Sequence, residues 1–175
     1  MKILNIVLIG FMSTGKTSVG KRLAQQLNWD FVDTDLEIEK INGMSVSEIF
    51  RKHGETYFRS EEEALIKSLL ERKHCVIATG GGAVLNPENW KVLTQMGYVI
   101  ALYAPIDTIL ERVGKSNDRP LFKSKRDEDE RLLIARQPIY NKAELIINTT
   151  EMDVDQVVEE IICNIGGRIE GESAD

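Results

Sequence analysis

The chain has 175 residues, of which 42% are hydrophobic and 29% charged, and its formal net charge is −6. That length supports one domain with a core that needs neither disulfides nor metals. The acidic balance argues against general binding of nucleic acid or anionic membranes, so an anionic ligand must be drawn in by a local group of Lys and Arg.

The first residues, Met1-Lys2 and "ILNIVLIG", have a faint signal-peptide look. Asn5 interrupts the apolar run and no small-x-small cleavage site follows, so residues 3–9 read as a buried central strand. "GKTSVGKRLAQQL" follows as a helix with Val19, Leu23 and Leu27 on one face. Residues 29–35, "WDFVDTD", read as a second strand ending in acids. Ser45-Val-Ser-Glu48 is a capping-box signature that opens a helix, and a longer helical pattern spans about 55–72. "CVIAT" at 75–79 is a strand that ends in Gly80, Gly81 and Gly82. Asn86-Pro87 opens a helix, "YVIALY" at 98–103 is a strand, and Pro105 opens the next helix. The stretch 114–126, "GKSNDRPLFKSKR", is polar, basic and aperiodic. "DEDERLLIARQ" resumes as a helix stopping near Pro138, 143–149 is the last strand, and "DVDQVVEEIICNI" is the last helix. Residues 166–175 read as a frayed tail. Cys75 and Cys163 lie in apolar runs and read as buried reduced thiols. His53 and His74 match no zinc spacing. No run reaches the length of a membrane span, which points to a cytoplasmic enzyme. Alternating strands and helices imply a three-layer α/β/α sandwich around a parallel sheet, with ligands at the carboxyl ends of its strands.

Residues 10–17, "GFMSTGKT", fit G-x-x-x-x-G-K-[ST] between a predicted strand and a predicted helix. Such a loop turns backbone N–H groups of Gly10, Ser13, Thr14, Gly15 and their neighbours through Ser18 toward the phosphates of a nucleoside triphosphate. Lys16 reaches the β- and γ-phosphates and the Thr17 hydroxyl ligates Mg²⁺. A GTP-hydrolysing switch would also need D-x-x-G, which the chain lacks. Asn141-Lys142-Ala-Glu144 lacks the preceding strand and the final Asp of a guanine-reading motif.

Three weaker features suit transfer to a second substrate. Asp33 and Asp35 at a strand end would point to one side, one toward Mg²⁺ and its waters and one toward an acceptor hydroxyl; capping of the following helix by Asp35 is the plainer alternative. Arg59 and Arg136 form a candidate fork for a carboxylate. Arg59 could equally pair with Glu62 or Glu63 on a helix surface, and Arg136 with a helix C-terminus. Residues 80–82 would let a ligand approach the backbone closely, or form a loose loop. The basic stretch carrying Arg119 is a lid candidate that would shield the γ-phosphate, or a solvated loop.

Taken together, "GFMSTGKT", "FVDTD", "GETYFRSEE", "VIATGGG", "RPLF" and "ARQPIY" resemble the shikimate kinase family of P-loop, nucleoside monophosphate kinase-like enzymes. The resemblance implies a five-stranded sheet of order 2-3-1-4-5 within a single domain over 1–165, an acceptor region near 34–62 and a lid near 113–126. It implies a monomer that transfers the γ-phosphoryl of MgATP to the 3-hydroxyl of shikimate. Under it, Lys16 and Thr17 serve phosphates and Mg²⁺, Asp33 stands in the outer shell of the metal, and Asp35 orients or deprotonates the attacking hydroxyl. Arg59 and Arg136 clamp the shikimate carboxylate, Gly80, Gly81 and Gly82 close round the ring, and Arg119 descends onto the phosphates. Arg112 and the loop 148–153 border the adenine. Ser13, where the family often has Gly, and Phe122, where it often has Leu, depart from the pattern.

Overall fold

Short apolar runs rich in β-branched residues become strands β1 (Asn5–Ile9), β2 (Asp30–Asp33), β3 (Cys75–Ala78), β4 (Tyr98–Tyr103) and β5 (Leu145–Asn148). They are seen in a computed structural model of the chain that describes residues 2–115 and 126–169. All pairings are parallel, in the order β2-β3-β1-β4-β5. Every residue of β1 and β3 is buried, as two covered sheet faces require. Among the described residues the connecting helices are α1 (Lys16–Leu27), α2 (Thr34–Asn42), α3 (Val46–Ser68), α4 (Pro87–Met96), α5 (Ile106–Lys115), α6 (Arg126–Tyr140) and α7 (Val154–Ile165).

Alternation along β1 splits its side chains between two cores. Ile6 and Leu8 pack with Val19 and Leu23 of α1 and Val158 and Ile161 of α7. Val7 and Ile9 pack with Ile66 of α3, Leu93 of α4, Ile109 of α5 and Leu133 of α6. The three-layer sandwich follows directly. A small third cluster, Ile38, Ile49 and Phe58, ties α2 to α3 beside the carboxyl end of β2.

Several elements differ from the sequence expectation. β2 stops at Asp33, whose Oδ1 accepts from the backbone N–H of Asp35 (3.1 Å) and Leu36 (3.2 Å) and so caps α2. Asp33 and Asp35 therefore do not share an extended strand; Asp35 sits in the first helical turn. The helix opened by the Ser45 capping box and the one expected from about 55 are both present and run together as α3, with a bend at Gly54, whose φ of 83° only glycine adopts easily. α6 continues through Pro138 to Tyr140. The carbonyl that loses its partner there belongs to Ile134, which is 65% exposed and open to water. Residues 166–169 join the fold: Gly166–Arg168 form a 3₁₀ turn, and Ile169 bridges Ile3 with 5% of its surface exposed, while 170–175 lie outside the described residues. Cys75 is buried, with its thiol pushed up to about 11 by desolvation, but Cys163 lies on the outer side of amphipathic α7 and is exposed.

Asn5, the residue that broke the apolar run, has a structural task. Its buried Nδ2 donates to the carbonyls of Arg72 (2.7 Å) and Met96 (2.8 Å), and its Oδ1 accepts from the N–H of Cys75 (3.1 Å). One side chain thus satisfies three backbone groups at the amino end of the sheet. Asn5→Leu would strand them, at roughly 1–3 kcal/mol for each group left without water. Thermal denaturation should show a Tm at least about 5 °C below wild type; an unchanged Tm would remove this role from Asn5.

Candidate active site

The carboxyl ends of β1, β2 and β3 feed three loops into one crevice. After β1 the chain turns at Gly10, where φ is 140° and an added Cβ would lie 2.3 Å from the carbonyl oxygen of Leu102. Gly15, at φ 99°, begins α1 with no side-chain cap, which leaves the first-turn N–H groups available to an anion. Between them Ser13 adopts φ 57°, a left-handed conformation unusual for a residue with a Cβ. Lys16 is buried and lies across the loop, its Nζ donating to the carbonyls of Gly10 (2.9 Å) and Phe11 (2.7 Å). Thr14 is buried and its hydroxyl donates to the carbonyl of Phe11 (2.8 Å), while Ser18 is exposed on α1.

The Thr17 hydroxyl donates to Asp33 Oδ2 at 2.7 Å. A hydroxyl and a carboxylate, both hard oxygen donors, suit Mg²⁺. Among the described residues no group of three or more His, Cys, Asp or Glu is arranged to hold a metal ion. Such an ion would take its remaining ligands from phosphate oxygens and water. Thr34 next to Asp33 is fully buried and accepts from the N–H of Gly80 at 3.0 Å. That bond ties the start of α2 to the triple glycine.

The glycines are no loose loop. Gly80 and Gly82 are buried, and each sits where a side chain would collide with a charged group. A Cβ at Gly80 would lie 2.6 Å from Asp35 Oδ1 and 3.0 Å from Glu62 Oε1. One at Gly82 would lie 2.5 Å from a terminal nitrogen of Arg59. One at Gly81 would lie 3.5 Å from Nη1 of Arg136 and 3.5 Å from the carbonyl oxygen of Gly10. Asp35, Arg59, Arg136 and the phosphate loop therefore meet around residues 80–82.

Arg59 makes the ion pair foreseen as the alternative to function, yet it remains in the site. Its Nη1 donates to Glu62 Oε2 at 2.8 Å, and Nε and Nη2 donate to Glu55 Oε1 at 3.3 Å. Burial works against the Arg59 charge, but the two carboxylates outweigh it and hold its pKa above the ordinary value. Glu62 is fully buried. Desolvation pushes its carboxyl up, Arg59 pulls it back, and Asp35 adds repulsion; the net result is a raised pKa. Glu62 Oε1 and Arg136 Nε have no hydrogen-bond partner among the described residues. The Arg136 guanidinium lies over the Phe11 ring at 5.8 Å, which joins acceptor side to phosphate loop. Tyr140, one turn further along α6, donates its hydroxyl to the carbonyl of Gly81 at 2.7 Å, and burial raises its pKa.

Glu62, Tyr140 and Thr34 are site residues that sequence reasoning did not select. Glu62 was visible only as an i, i+3 neighbour of Arg59; nothing in the run Glu61-Glu62-Glu63 says which glutamate turns inward. Arg112 lies at the far end of the phosphate loop, donating to Thr149 and to the carbonyl of Ser13. The loop 148–153 beside it is shaped by Asn148 Oδ1, which accepts from the N–H of Thr150 at 3.0 Å, and by the Asp153–Gln156 capping box. Arg119, Phe122 and most of the expected lid fall outside the described residues.

The family model for shikimate kinase matches residues 12–165. The shikimate kinase of Pelotomaculum thermopropionicum is 48% identical over 160 residues, covering 90% of this chain and 93% of that protein. That of Thermodesulfovibrio yellowstonii is 49% identical over 160 residues, covering 90% and 92%. The structure of the Acinetobacter baumannii enzyme in complex with shikimate superposes with a TM-score of 0.87 at 36% identity, covering 94% of both chains. With the phosphate loop, the acid pair and the two arginines gathered on one triple glycine, the chain belongs to the shikimate kinase family.

Proposed function

We propose that this chain transfers the γ-phosphoryl group of MgATP to the 3-hydroxyl of shikimate, giving shikimate 3-phosphate and ADP on the route to chorismate and the aromatic amino acids. The meeting of Asp35, Arg59 and Arg136 on residues 80–82, beside the carbonyl of Gly10, carries the reading. It sets a hydroxyl-orienting carboxylate and two guanidiniums against the loop that would hold the triphosphate. The assignment rests on membership of the family and on this geometry together.

In the proposed mechanism the N–H groups of the loop and Lys16 hold the β- and γ-phosphates. Thr17 and, through water, Asp33 would hold Mg²⁺, which when bound neutralises phosphate charge. Arg136, with an N–H available, and Arg59, already oriented by Glu62, hold the acceptor carboxylate. Asp35 orients the 3-hydroxyl and accepts its proton as the new O–P bond forms and the bond from the γ-phosphorus to the bridging oxygen breaks. Catalysis is positioning and charge neutralisation more than covalent chemistry. Arg119, outside the described residues, is assigned to the lid as a phosphate ligand. Arg112 and the loop 148–153 are assigned to the adenine border. No helix among the described residues is long and apolar enough to cross a membrane; we place the enzyme in the cytoplasm, as a monomer.

A coupled ADP-release assay with shikimate, gluconate and water as acceptors tests the reading. Turnover should require shikimate, and equal rates without it would overturn the assignment. Asp35→Asn should lower kcat by about 10²-fold or more with the KM for ATP little changed; a kcat near wild type would remove Asp35 from the transfer step. Arg136→Lys should raise the KM for shikimate about tenfold, since an ammonium cannot form the fork, and an unchanged KM would dismantle the clamp. Glu62→Gln supplies a test with a pH readout. Because the folded pKa of Glu62 is raised, wild type loses stability as pH rises from the ordinary value of 4.5 through the folded value. The Tm difference, variant minus wild type, should therefore grow between pH 4.5 and 7; a constant difference would contradict a raised Glu62 pKa.

A further inference from the structure

A loop that cradles phosphate must point its N–H groups inward, so its carbonyls face outward and need partners of their own. Within this loop Lys16 and Thr14 take the carbonyls of Gly10 and Phe11. The carbonyl of Gly15 accepts the N–H of Val19 at 2.8 Å, the first helical bond. The carbonyls of Ser13 and Thr14 are met by two side chains from outside the loop, Arg112 of α5 and Thr149 just after β5. Thr149 is 2% exposed. Its hydroxyl accepts from Arg112 Nη1 at 3.0 Å, and its single proton lies between the carbonyls of Tyr103 at 3.1 Å and Thr14 at 3.3 Å. Arg112 donates to the Thr149 carbonyl through Nη2 at 2.5 Å and approaches the Ser13 carbonyl through Nη1 at 3.4 Å. The main chain of Thr149 is anchored in turn, its N–H donating to the carbonyl of Tyr103 at 2.8 Å. Ser13 is the loop residue whose left-handed φ of 57° works against its own Cβ. The two peptide carbonyls at this turn are the ones held from outside.

We propose that Thr149 is a positioning residue for ATP binding: its hydroxyl, together with Arg112, braces the outer, carbonyl side of the phosphate loop and keeps Ser13 in the conformation that turns the loop N–H groups inward. The inference rests on reading residues 10–17 as the phosphate cradle. It adds a requirement the loop motif does not contain, a hydroxyl from the far end of the sheet. It also gives the serine at position 13 a physical counterpart: a glycine there would need less holding.

The test is steady-state kinetics and equilibrium ATP binding with Thr149→Val, which removes the hydroxyl and keeps the shape, and Thr149→Ser, which keeps the hydroxyl. Thr149→Val should raise the KM and Kd for ATP about tenfold, the scale of a lost buried hydrogen bond, with the KM for shikimate within about twofold of wild type. Thr149→Ser should stay within about threefold of wild type for ATP. On a Ser13→Gly background the Thr149→Val penalty should shrink to less than about half, because glycine enters the left-handed region without strain. An unchanged KM for ATP in Thr149→Val, a Thr149→Ser enzyme as weak as Thr149→Val, both KM values rising together, or a penalty untouched by Ser13→Gly would each overturn the proposal. If Thr149→Val does not fold, Thr149→Ala carries the same expectations. Lys16→Ala separates the underlying reading: ATP binding that survives its loss would remove the cradle itself, whatever the Thr149 variants do.

Discussion

The close approach of charged side chains to the backbone of residues 80–82 is the constraint on which the site depends. Asp35 and Glu62 stand where a Cβ of Gly80 would be, and the Arg59 guanidinium stands where a Cβ of Gly82 would be. None of these glycines has the positive φ that usually explains a glycine; for Gly80 and Gly82 the reason is space. A side chain at Gly80 or Gly82 would displace the Asp35 and Glu62 carboxylates or the Arg59 guanidinium, which α2 and α3 bring, whereas one at Gly81 would make ordinary contact with Arg136 of α6. The Thr34–Gly80 and Tyr140–Gly81 bonds fix the same backbone from opposite sides. The proposed acceptor cradle is therefore the turn after β3, with side chains of three helices gathered on it.

Donor and acceptor halves are joined by short links that run through the same few residues. Thr17 donates to Asp33. Asp33 caps α2 and so fixes where Asp35 begins its helical turn. Thr34 then grips Gly80, and Gly81 lies beside the carbonyl of Gly10. Asp33 thus takes the capping task that the sequence had offered to Asp35, and its other oxygen accepts from the Thr17 hydroxyl. A cap is a good way to aim a carboxylate, because two backbone N–H groups hold one oxygen and leave the other directed into the site.

Strand placement and the phosphate loop were legible because each depends on local pattern: apolar runs, the capping box at Ser45, and a loop between strand and helix; the sheet order came from the family resemblance. The strand limit at Asp33 was not, since Phe31, Val32 and Thr34 favour a strand and the cap that starts α2 at Thr34 shows only in the structure. The depth of Glu62 was not, since three consecutive glutamates look alike until α3 is docked. The roles of Tyr140 and Thr149 were hidden for a related reason. Their partners are backbone carbonyls of Gly81, Tyr103 and Thr14, and a carbonyl carries no residue-type signal in the sequence.

The charge balance of the site resolves how an acidic protein accepts an acidic substrate. Arg59 is already engaged by Glu62 and Glu55, so it adds little long-range field to a chain of net charge −6. What the pairing supplies is orientation: a guanidinium whose fork is held in place before any ligand arrives loses less freedom on binding. Arg136 completes the contrast, with an N–H lacking a partner among the described residues and its cationic plane resting on Phe11. In the proposed clamp, recognition of the carboxylate rests on short-range geometry at partly buried donors, which is selective for shape. Attraction over distance would have favoured any anion, including the triphosphate that has its own loop a few ångströms away.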